Sequence, residues 1–145
     1  MKTRRGIFAV VLDNKNNVLV MRRILNWKGW ELPKGGLDGH TEREALAEEL
    51  WEELGLRKKD YEVVGKTNVF TGHKYPAAYV KKWKVSGAKF RGYVVKSKKK
   101  HISFKNNPEK EHDAYKWVSL AKALKLLTFA NQRIALRKIA NQFNL

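Results

Sequence analysis

The sequence predicts an α+β fold in which one β-sheet lies between two helical layers, an α/β/α sandwich. Several β-branched and aromatic runs have strand length, and two amphipathic helical patterns stand apart from them, one in the middle and one at the C-terminus. Elements of both kinds must bury one face, which favours a layered arrangement. No internal repeat or Pro/Gly/Ser-rich linker interrupts the 145 residues, so we predict a single domain over residues 1–145.

The strand runs come before and between the helical patterns. Residues 6–22 are predicted to form a hairpin, because two β-branched runs flank the turn-forming stretch DNKNN. Three later runs are also predicted as strands: YEVVGKTNVF, AAYVKKWKVS and KFRGYVVKS. The C-terminal helical pattern covers residues 119–143 and is expected to break near Thr128. Its predicted apolar anchors are Leu120, Leu124, Leu127, Ile134 and Ile139.

The first helical pattern begins at Thr41 and ends near Leu54. Thr41 and Glu44 have the spacing of a capping box, and Gly55 is placed to end the helix. At 100° per residue one stripe of this helix is apolar and an adjacent stripe is acidic. The apolar stripe consists of Leu46, Leu50 and Leu54, and the acidic stripe of Glu42, Glu49, Glu52 and Glu53.

The charge of the chain is distributed unevenly. The formal net charge is +17, yet residues 31–56 contain eight of the fourteen acidic residues. The positive charge favours anionic partners or substrates, and a lysine-rich solubilising surface is the alternative interpretation. The basic run at residues 96–101 is typical of a solvated loop, with nucleic-acid binding as the second interpretation.

Composition excludes several classes of site. The chain has no cysteine, which excludes disulfides, thiolate zinc sites and thiol nucleophiles. No apolar run approaches the roughly 18 residues that a membrane span needs. We therefore expect a cytoplasmic protein without membrane association, and the sequence gives no sign of an obligate protein partner.

The acidic stripe predicts a site for a divalent cation. Carboxylates three and four residues apart on one helix repel each other, and hard ions such as Mg²⁺ or Mn²⁺ prefer oxygen ligands. The preceding stretch PKGGLDG contains three glycines, which allow a ligand to approach the backbone at the positive end of the helix. Lys34 adds a cation beside the glycines, so a phosphate and a metal ion can meet here.

These residues resemble the signature of the Nudix hydrolases, in which a glycine loop precedes a helix with a fixed pattern of glutamates. The opening glycine is Gly35, and the second half of the signature is filled by Glu49, Leu50, Glu52, Glu53, Gly55 and Leu56. The chain departs from the signature in three ways: its loop is one residue shorter, His40 replaces the acid that closes the loop, and Glu48 replaces an arginine. In the family this arginine orients a catalytic glutamate. Arg43, Lys34 or a basic residue from another strand are the candidates to replace it.

The resemblance covers nearly the whole chain and implies a Nudix fold with a mixed sheet between the signature helix and the C-terminal helices. It implies that Mg²⁺ or Mn²⁺ is bound by Glu49, Glu52, Glu53 and the carbonyl of Gly35. The general base would be Glu52, Glu53 or Glu111, because members of the family do not all use the same one.

The C-terminal part is similar to the asymmetric diadenosine tetraphosphate hydrolases. This similarity makes Glu111 a further candidate metal ligand and Tyr115 a candidate for stacking on adenine. Glu111 could instead be an ordinary loop acid, and Tyr115 could alternate with Trp117 into the core. Lys74 and Tyr75 are candidates for a second wall of the base pocket, with loop packing as the alternative.

The resemblance implies hydrolysis of a phosphoanhydride bond in a nucleoside diphosphate linked to another group. The preferred substrate is diadenosine tetraphosphate, cleaved to ATP and AMP, because its several negative charges also account for the basic surface. Hydrolysis at the 5′ end of RNA and hydrolysis of diphosphoinositol polyphosphate are alternatives. A non-catalytic Nudix-like module that binds RNA is the alternative from a different class.

Overall fold

The computed structural model describes residues 2–145, and its centre is a mixed sheet of seven strands. The strands are β1 (Lys2–Leu12), β2 (Val18–Arg23), β3 (Gly29–Glu31), β4 (Lys34–Gly36), β5 (Tyr61–Lys74), β6 (Val85–Ser97) and β7 (His112–Val118). The main path runs β3-β2-β1-β6-β5, with β4 paired to β1 and β7 paired to β2. The β1–β6 pair is parallel and the other pairs are antiparallel. The two strands predicted over residues 6–22 are confirmed as β1 and β2, which pair antiparallel beside the turn, at Leu12 and Val18.

Within residues 2–145 four α-helices accompany the sheet, α1 (Glu42–Leu54), α2 (Ala77–Trp83), α3 (Leu120–Leu126) and α4 (Ala130–Phe143), and a short 3-10 helix covers Lys58–Asp60. Successive residues of β1 point to opposite faces of the sheet. Ile7 packs in one apolar cluster with α1, whereas Phe8 packs in a second cluster with α3 and α4. The sheet therefore lies between two helical layers, which confirms the predicted α+β sandwich. None of the helices in residues 2–145 has the length and apolar character needed to cross a membrane.

The signature helix α1 begins and ends as predicted. The Glu44 N–H donates to the Thr41 hydroxyl at 3.2 Å, and the Thr41 N–H donates to the Glu44 carboxylate at 2.9 Å. Gly55 ends the helix in the left-handed conformation, with a φ of 70°. The three leucines of the apolar stripe are fully buried. The apolar stripe thus fixes α1 against the face of the sheet that carries Ile7.

Two predictions about local structure were wrong. The run AAYVKKWKVS is not a strand: Pro76 lacks the N–H that a strand ladder needs, Ala77–Trp83 forms α2, and Lys84 ends it at a φ of 55°. Ile134 is not an apolar anchor, because 51% of its surface is exposed. The buried face of α4 is formed instead by Gln132, Ala135, Leu136, Ile139 and Ala140.

A matched pair of substitutions in α4 tests this packing. We expect Leu136→Ala to lower the free energy of unfolding by about 2–5 kcal/mol, because it leaves a cavity in the core. Ile134→Ala should change it by less than about 0.5 kcal/mol, since the side chain is largely in water. Urea denaturation of both variants measures the difference. Equal destabilisation by the two variants would contradict this orientation of α4.

Candidate active site

A cleft with a volume of about 1050 Å³ opens beside the C-terminal half of α1. Its lining contains an acidic group, a basic group and an aromatic group. The acidic group comprises Asp38, Glu49, Glu52, Glu53, Glu109 and Glu111. The basic and aromatic groups comprise Arg4, Arg23, Lys34, His73, Trp27, Tyr75, Tyr79, Phe90 and Phe129. A single cavity thus combines oxygen ligands for a cation with groups suited to phosphates and bases.

A buried carboxylate, Glu31, organises the strands next to the cleft. His112 Nε2 donates to Glu31 Oε2 at 2.8 Å, Arg23 Nη1 lies 3.3 Å from the same oxygen, and Lys34 Nζ lies 3.7 Å from Oε1. Burial raises the pKa of Glu31, but the His112 hydrogen bond and the charges of Lys34 and Arg23 outweigh burial and bring the pKa below its usual value. We call these four residues the Glu31 cluster.

Arg23 also connects the Glu31 cluster to the cleft. Its Nη1 lies 3.3 Å from Glu111 Oε2, and its Nε donates to the carbonyl of Leu25 at 3.0 Å. The backbone of Glu111 is held as well, because its carbonyl accepts a hydrogen bond of 2.8 Å from the Ile24 N–H. Arg23 of β2 therefore holds the Glu111 side chain, and it is the basic residue from another strand that lies closest to the expected role of the missing arginine.

The carboxylates of the cleft are crowded. Burial, followed by the charge of Glu52, raises the pKa of Glu49 from 4.5 to about 8. Burial and the neighbouring Glu49 raise the pKa of Glu53 well above its usual value. Burial also raises the pKa of Glu52, where Glu48 adds repulsion, and that of Glu111 despite the opposing charge of Arg23. Crowding of this kind is relieved by a bound cation.

The donor atoms present fit a hard divalent cation. Glu53 Oε2 is buried and has no hydrogen-bond partner among residues 2–145. Ligand atoms of Glu53, Glu111 and His112 lie within 4.8 Å of one another. Buried polar atoms are nearly always paired, so an unpaired carboxylate oxygen beside two further donors indicates a cation site. The Glu49 carboxyl group closes this region, since it lies so close to Gly35 that any side chain at position 35 would collide with it.

Seven of the nine residues proposed from the sequence line the cleft together: Lys34, Gly35, Glu49, Glu52, Glu53, Tyr75 and Glu111. Lys74 lies outside it, exposed at the end of β5. Tyr115 also lies outside it and packs edge-on against Phe104, with ring centroids 6.0 Å apart, beside the apolar cluster of α1. Tyr115 therefore has the core-packing position that was the alternative to adenine stacking, because its register on β7 directs it towards α1.

Three titratable residues in the signature, Glu42, Glu48 and His40, have partners that their spacing in the sequence does not reveal. Glu42 was placed in the acidic stripe, but it accepts hydrogen bonds from Arg91 Nε at 3.0 Å and from the Tyr93 hydroxyl at 2.8 Å. It is therefore removed from the candidate metal ligands. Glu48 Oε2 lies 3.7 Å from His40 Nε2, and both side chains are about half exposed. The two substituted positions of the signature, His40 and Glu48, thus face each other.

Several cleft residues were missed by the sequence analysis. Trp27 and Phe129 come from two different loops and meet edge-on with ring centroids 4.8 Å apart, and Arg23 lies 5.6 Å from the Trp27 ring. Arg4 lies against Gly36 in the glycine loop and over the Phe90 ring. Trp27 and Phe129 could have been predicted as cleft residues because they are large aromatic residues in loops, where binding and catalytic residues often lie.

The Glu31 cluster predicts a large loss of stability in the variant Glu31→Gln. Removing the carboxylate leaves Arg23 and Lys34 without their buried counter-charge, and we expect the free energy of unfolding to fall by about 3 kcal/mol. Asp113→Asn is the matched control, because it breaks an exposed ion pair with Arg22 and should leave stability nearly unchanged. Urea denaturation of both variants provides the measurement. A Glu31→Gln protein as stable as the wild type would show that the cluster contributes nothing to folding.

The crowded carboxylates predict an unusual dependence of stability on pH in EDTA. Because the Glu49 pKa is raised from 4.5 to about 8 on folding, the folded state binds more protons than the unfolded state between these values. This group therefore lowers the free energy of unfolding as pH rises through that window. We expect Glu49→Gln to show a smaller decline than the wild type in thermal melts. Identical profiles would mean that Glu49 titrates normally.

Comparison with known proteins agrees with this geometry. The family model of the NUDIX domain matches residues 2–139. An RNA pyrophosphohydrolase of Blochmanniella pennsylvanica is 29% identical over 147 residues, covering 97% of this chain and 92% of that protein. An RNA pyrophosphohydrolase of Francisella tularensis subsp. mediasiatica is 33% identical over 120 residues, covering 79% of this chain and 77% of that protein.

Solved structures share the fold at lower identity. The dihydroneopterin triphosphate pyrophosphohydrolase of E. coli superposes with a TM-score of 0.77 at 17% identity, covering 98% of this chain and 99% of that one. The binary complex of a C. elegans Ap4A hydrolase gives a TM-score of 0.73 at 20% identity, covering 98% of each chain. The family match over nearly the whole sequence, together with a carboxylate-lined cleft on α1, shows that this chain belongs to the Nudix family and is a pyrophosphohydrolase.

Proposed function

We propose that this chain hydrolyses the 5′-triphosphate end of RNA, converting 5′-triphosphate RNA and water into 5′-monophosphate RNA and pyrophosphate. The observation that carries the proposal is the mixed lining of the cleft, where crowded carboxylates lie among cations and aromatic rings on a chain of net charge +17. The two RNA pyrophosphohydrolases described above support the same substrate class. Such a substrate also implies a cytoplasmic location.

The acidic group of the cleft would hold Mg²⁺ or Mn²⁺ through Glu49, Glu53 and Glu111, with Glu52 beside them. When bound, the cation neutralises phosphate oxygens and makes a water molecule more acidic. Glu52 and Glu111 are less buried than Glu53, which suits them to accept the proton of the attacking water. Glu111 is the better oriented of the two, because Arg23 and the Ile24 N–H both hold it.

The basic group of the cleft would hold the remaining phosphates. Lys34 is next to the glycine loop, and the Arg4 guanidinium lies against Gly36 of the same loop. Guanidinium and ammonium groups bind phosphate oxygens by charge-assisted hydrogen bonds. As the water oxygen forms its bond to phosphorus, the bridging P–O bond breaks, and these cations stabilise the negative charge on the departing pyrophosphate.

A dinucleoside tetraphosphate is the second candidate substrate. Two separate aromatic pairs line the same cleft: Trp27 with Phe129, and Tyr75 with Tyr79. Each pair presents an aromatic surface on which a base can stack, and a substrate with two bases joined by phosphates would use both. The cation site would be the same for either substrate.

Product analysis distinguishes these substrates. We expect Mg²⁺-dependent release of pyrophosphate from a 5′-triphosphate RNA, measured by ion-exchange chromatography beside diadenosine tetraphosphate and diphosphoinositol polyphosphate. Glu52→Gln and Glu53→Gln should each lower kcat by about 10²-fold or more. Trp51→Ala is the control, because its side chain is exposed towards Arg57 and does not line the cleft.

Three other outcomes of the product analysis would contradict the proposed function. Cleavage of diadenosine tetraphosphate to ATP and AMP without attack on RNA would make the dinucleotide the substrate. Equal activity of the wild type and both glutamine variants would remove the carboxylates from the mechanism. Binding of RNA without cleavage of any substrate would identify a non-catalytic module.

A further inference from the structure

We propose that a row of aromatic side chains leading out of the cleft binds the single-stranded RNA downstream of the 5′ end. The row, which we call the aromatic ladder, consists of Tyr75, Tyr79 and Trp83. The inference rests on the proposed function, since RNA held by its 5′ phosphates in the cleft is the ligand that would continue along this surface.

The rings of the ladder follow one another from Tyr75, just before α2, to Trp83 at the end of this helix. The centroids of Tyr75 and Tyr79 are 4.5 Å apart with planes at 49°, and those of Tyr79 and Trp83 are 6.2 Å apart at 41°. The four-residue spacing of Tyr79 and Trp83 places these two rings on one face of α2, and Tyr75 lies just before the helix begins at Ala77. Tyr75 and Tyr79 line the active-site cleft, whereas Trp83 lines an adjoining groove that it shares with Tyr75. The ladder is therefore continuous with the cleft.

The two outer rings of the ladder are not needed by the core. None of the residues of α2 is buried, 57% of the Trp83 surface is exposed, and 40% of the Tyr79 surface is exposed. Only Tyr75 packs against the apolar cluster beneath α3 and α4. A row of exposed aromatic rings on a helix without a buried face is typical of a binding surface.

The charge around the ladder is complementary to RNA. No aspartate or glutamate occurs in residues 63–108, and the lysines closest in sequence to the ladder are Lys74, Lys81, Lys82 and Lys84. Lys82 Nζ lies 5.2 Å from the Trp83 ring, and Lys81 and Lys84 border the groove beside it. Rings on which bases stack, interleaved with cations that pair with phosphates, are the combination that binds single-stranded nucleic acids without strong sequence preference.

The substrate-length dependence of hydrolysis tests the ladder. We expect the wild type to have a lower KM for a 5′-triphosphate decamer than for a 5′-triphosphate dinucleotide. The double variant Tyr79→Ala/Trp83→Ala should raise the KM for the decamer by about tenfold, because it removes two stacking surfaces. The single variant Trp83→Ala, whose side chain lies outside the cleft, should also raise the KM for the decamer, while its kcat and its KM for the dinucleotide should change little. Trp51→Ala, another exposed tryptophan outside the cleft, is the matched control.

A binding measurement separates failure of the ladder from failure of the proposed function. Fluorescence anisotropy with a 5′-hydroxyl decamer requires no hydrolysis, and the double variant should bind it about tenfold more weakly than wild type and Trp51→Ala. If no RNA is cleaved but this loss of binding is found, the proposed function is wrong and the ladder stands. If RNA is cleaved but KM and anisotropy are the same in the double variant and the wild type, the ladder is overturned and the function stands.

Two other occupants of the ladder would also overturn the inference. A second copy of the chain on this surface would be revealed by light scattering, as a dimer of the wild type that the double variant does not form, with RNA affinity unchanged. An acidic protein segment would be indicated if poly-glutamate competed with the decamer as well as unlabelled RNA did. Neither result is expected, because a second copy of a chain with net charge +17 would be repelled by the lysines around the ladder, and poly-glutamate lacks the planar rings that stack on it.

Discussion

The active site depends on a single buried carboxylate. Glu31 belongs to the short strand β3, and its three polar partners, Arg23, Lys34 and His112, come from the end of β2, from β4 and from the start of β7. A charged group at 1% exposure is tolerated only when counter-charges and hydrogen bonds compensate for its lost hydration. The Glu31 cluster therefore holds four strands in one relative position, and this position determines where Glu111 and the glycine loop lie.

The same cluster explains how a signature without its arginine can keep an ordered site. Arg23 contacts both Glu31 and Glu111, so a cation from β2 orients a carboxylate that lies outside α1. Glu48, which occupies the arginine position, is instead turned towards His40 at the surface. The carboxylates that face the cleft are left close together with raised pKa values, an arrangement that a divalent cation stabilises.

Acidic and basic residues are separated along the chain. The acidic residues are concentrated around α1, where they can hold a cation. Residues 63–108 contain lysine, arginine and histidine but no aspartate or glutamate. A basic surface attracts a polyanion over a distance, and aromatic rings such as those of α2 give it a place to bind. Positive charge of this kind attracts an anionic substrate towards carboxylates that would otherwise repel it.

Local spacing determined α1 from the sequence alone. The capping box, the leucine stripe, the left-handed Gly55 and the carboxylates at intervals of three and four residues are all properties of neighbours within one helix, and each is visible in the order of residues. The hairpin of β1 and β2 was predictable for the same reason, because a short polar turn between two β-branched runs leaves few alternatives.

Contacts between residues far apart in sequence were decided only by the tertiary structure. Glu42 fits the acidic stripe by its spacing, but Arg91 and Tyr93 of β6 draw it away from the cleft. Trp27 and Phe129 become neighbours only when the loop after β2 meets the break between α3 and α4. Helical periodicity tells which residues share a face, whereas the partner that this face meets depends on how the strands are ordered in the sheet.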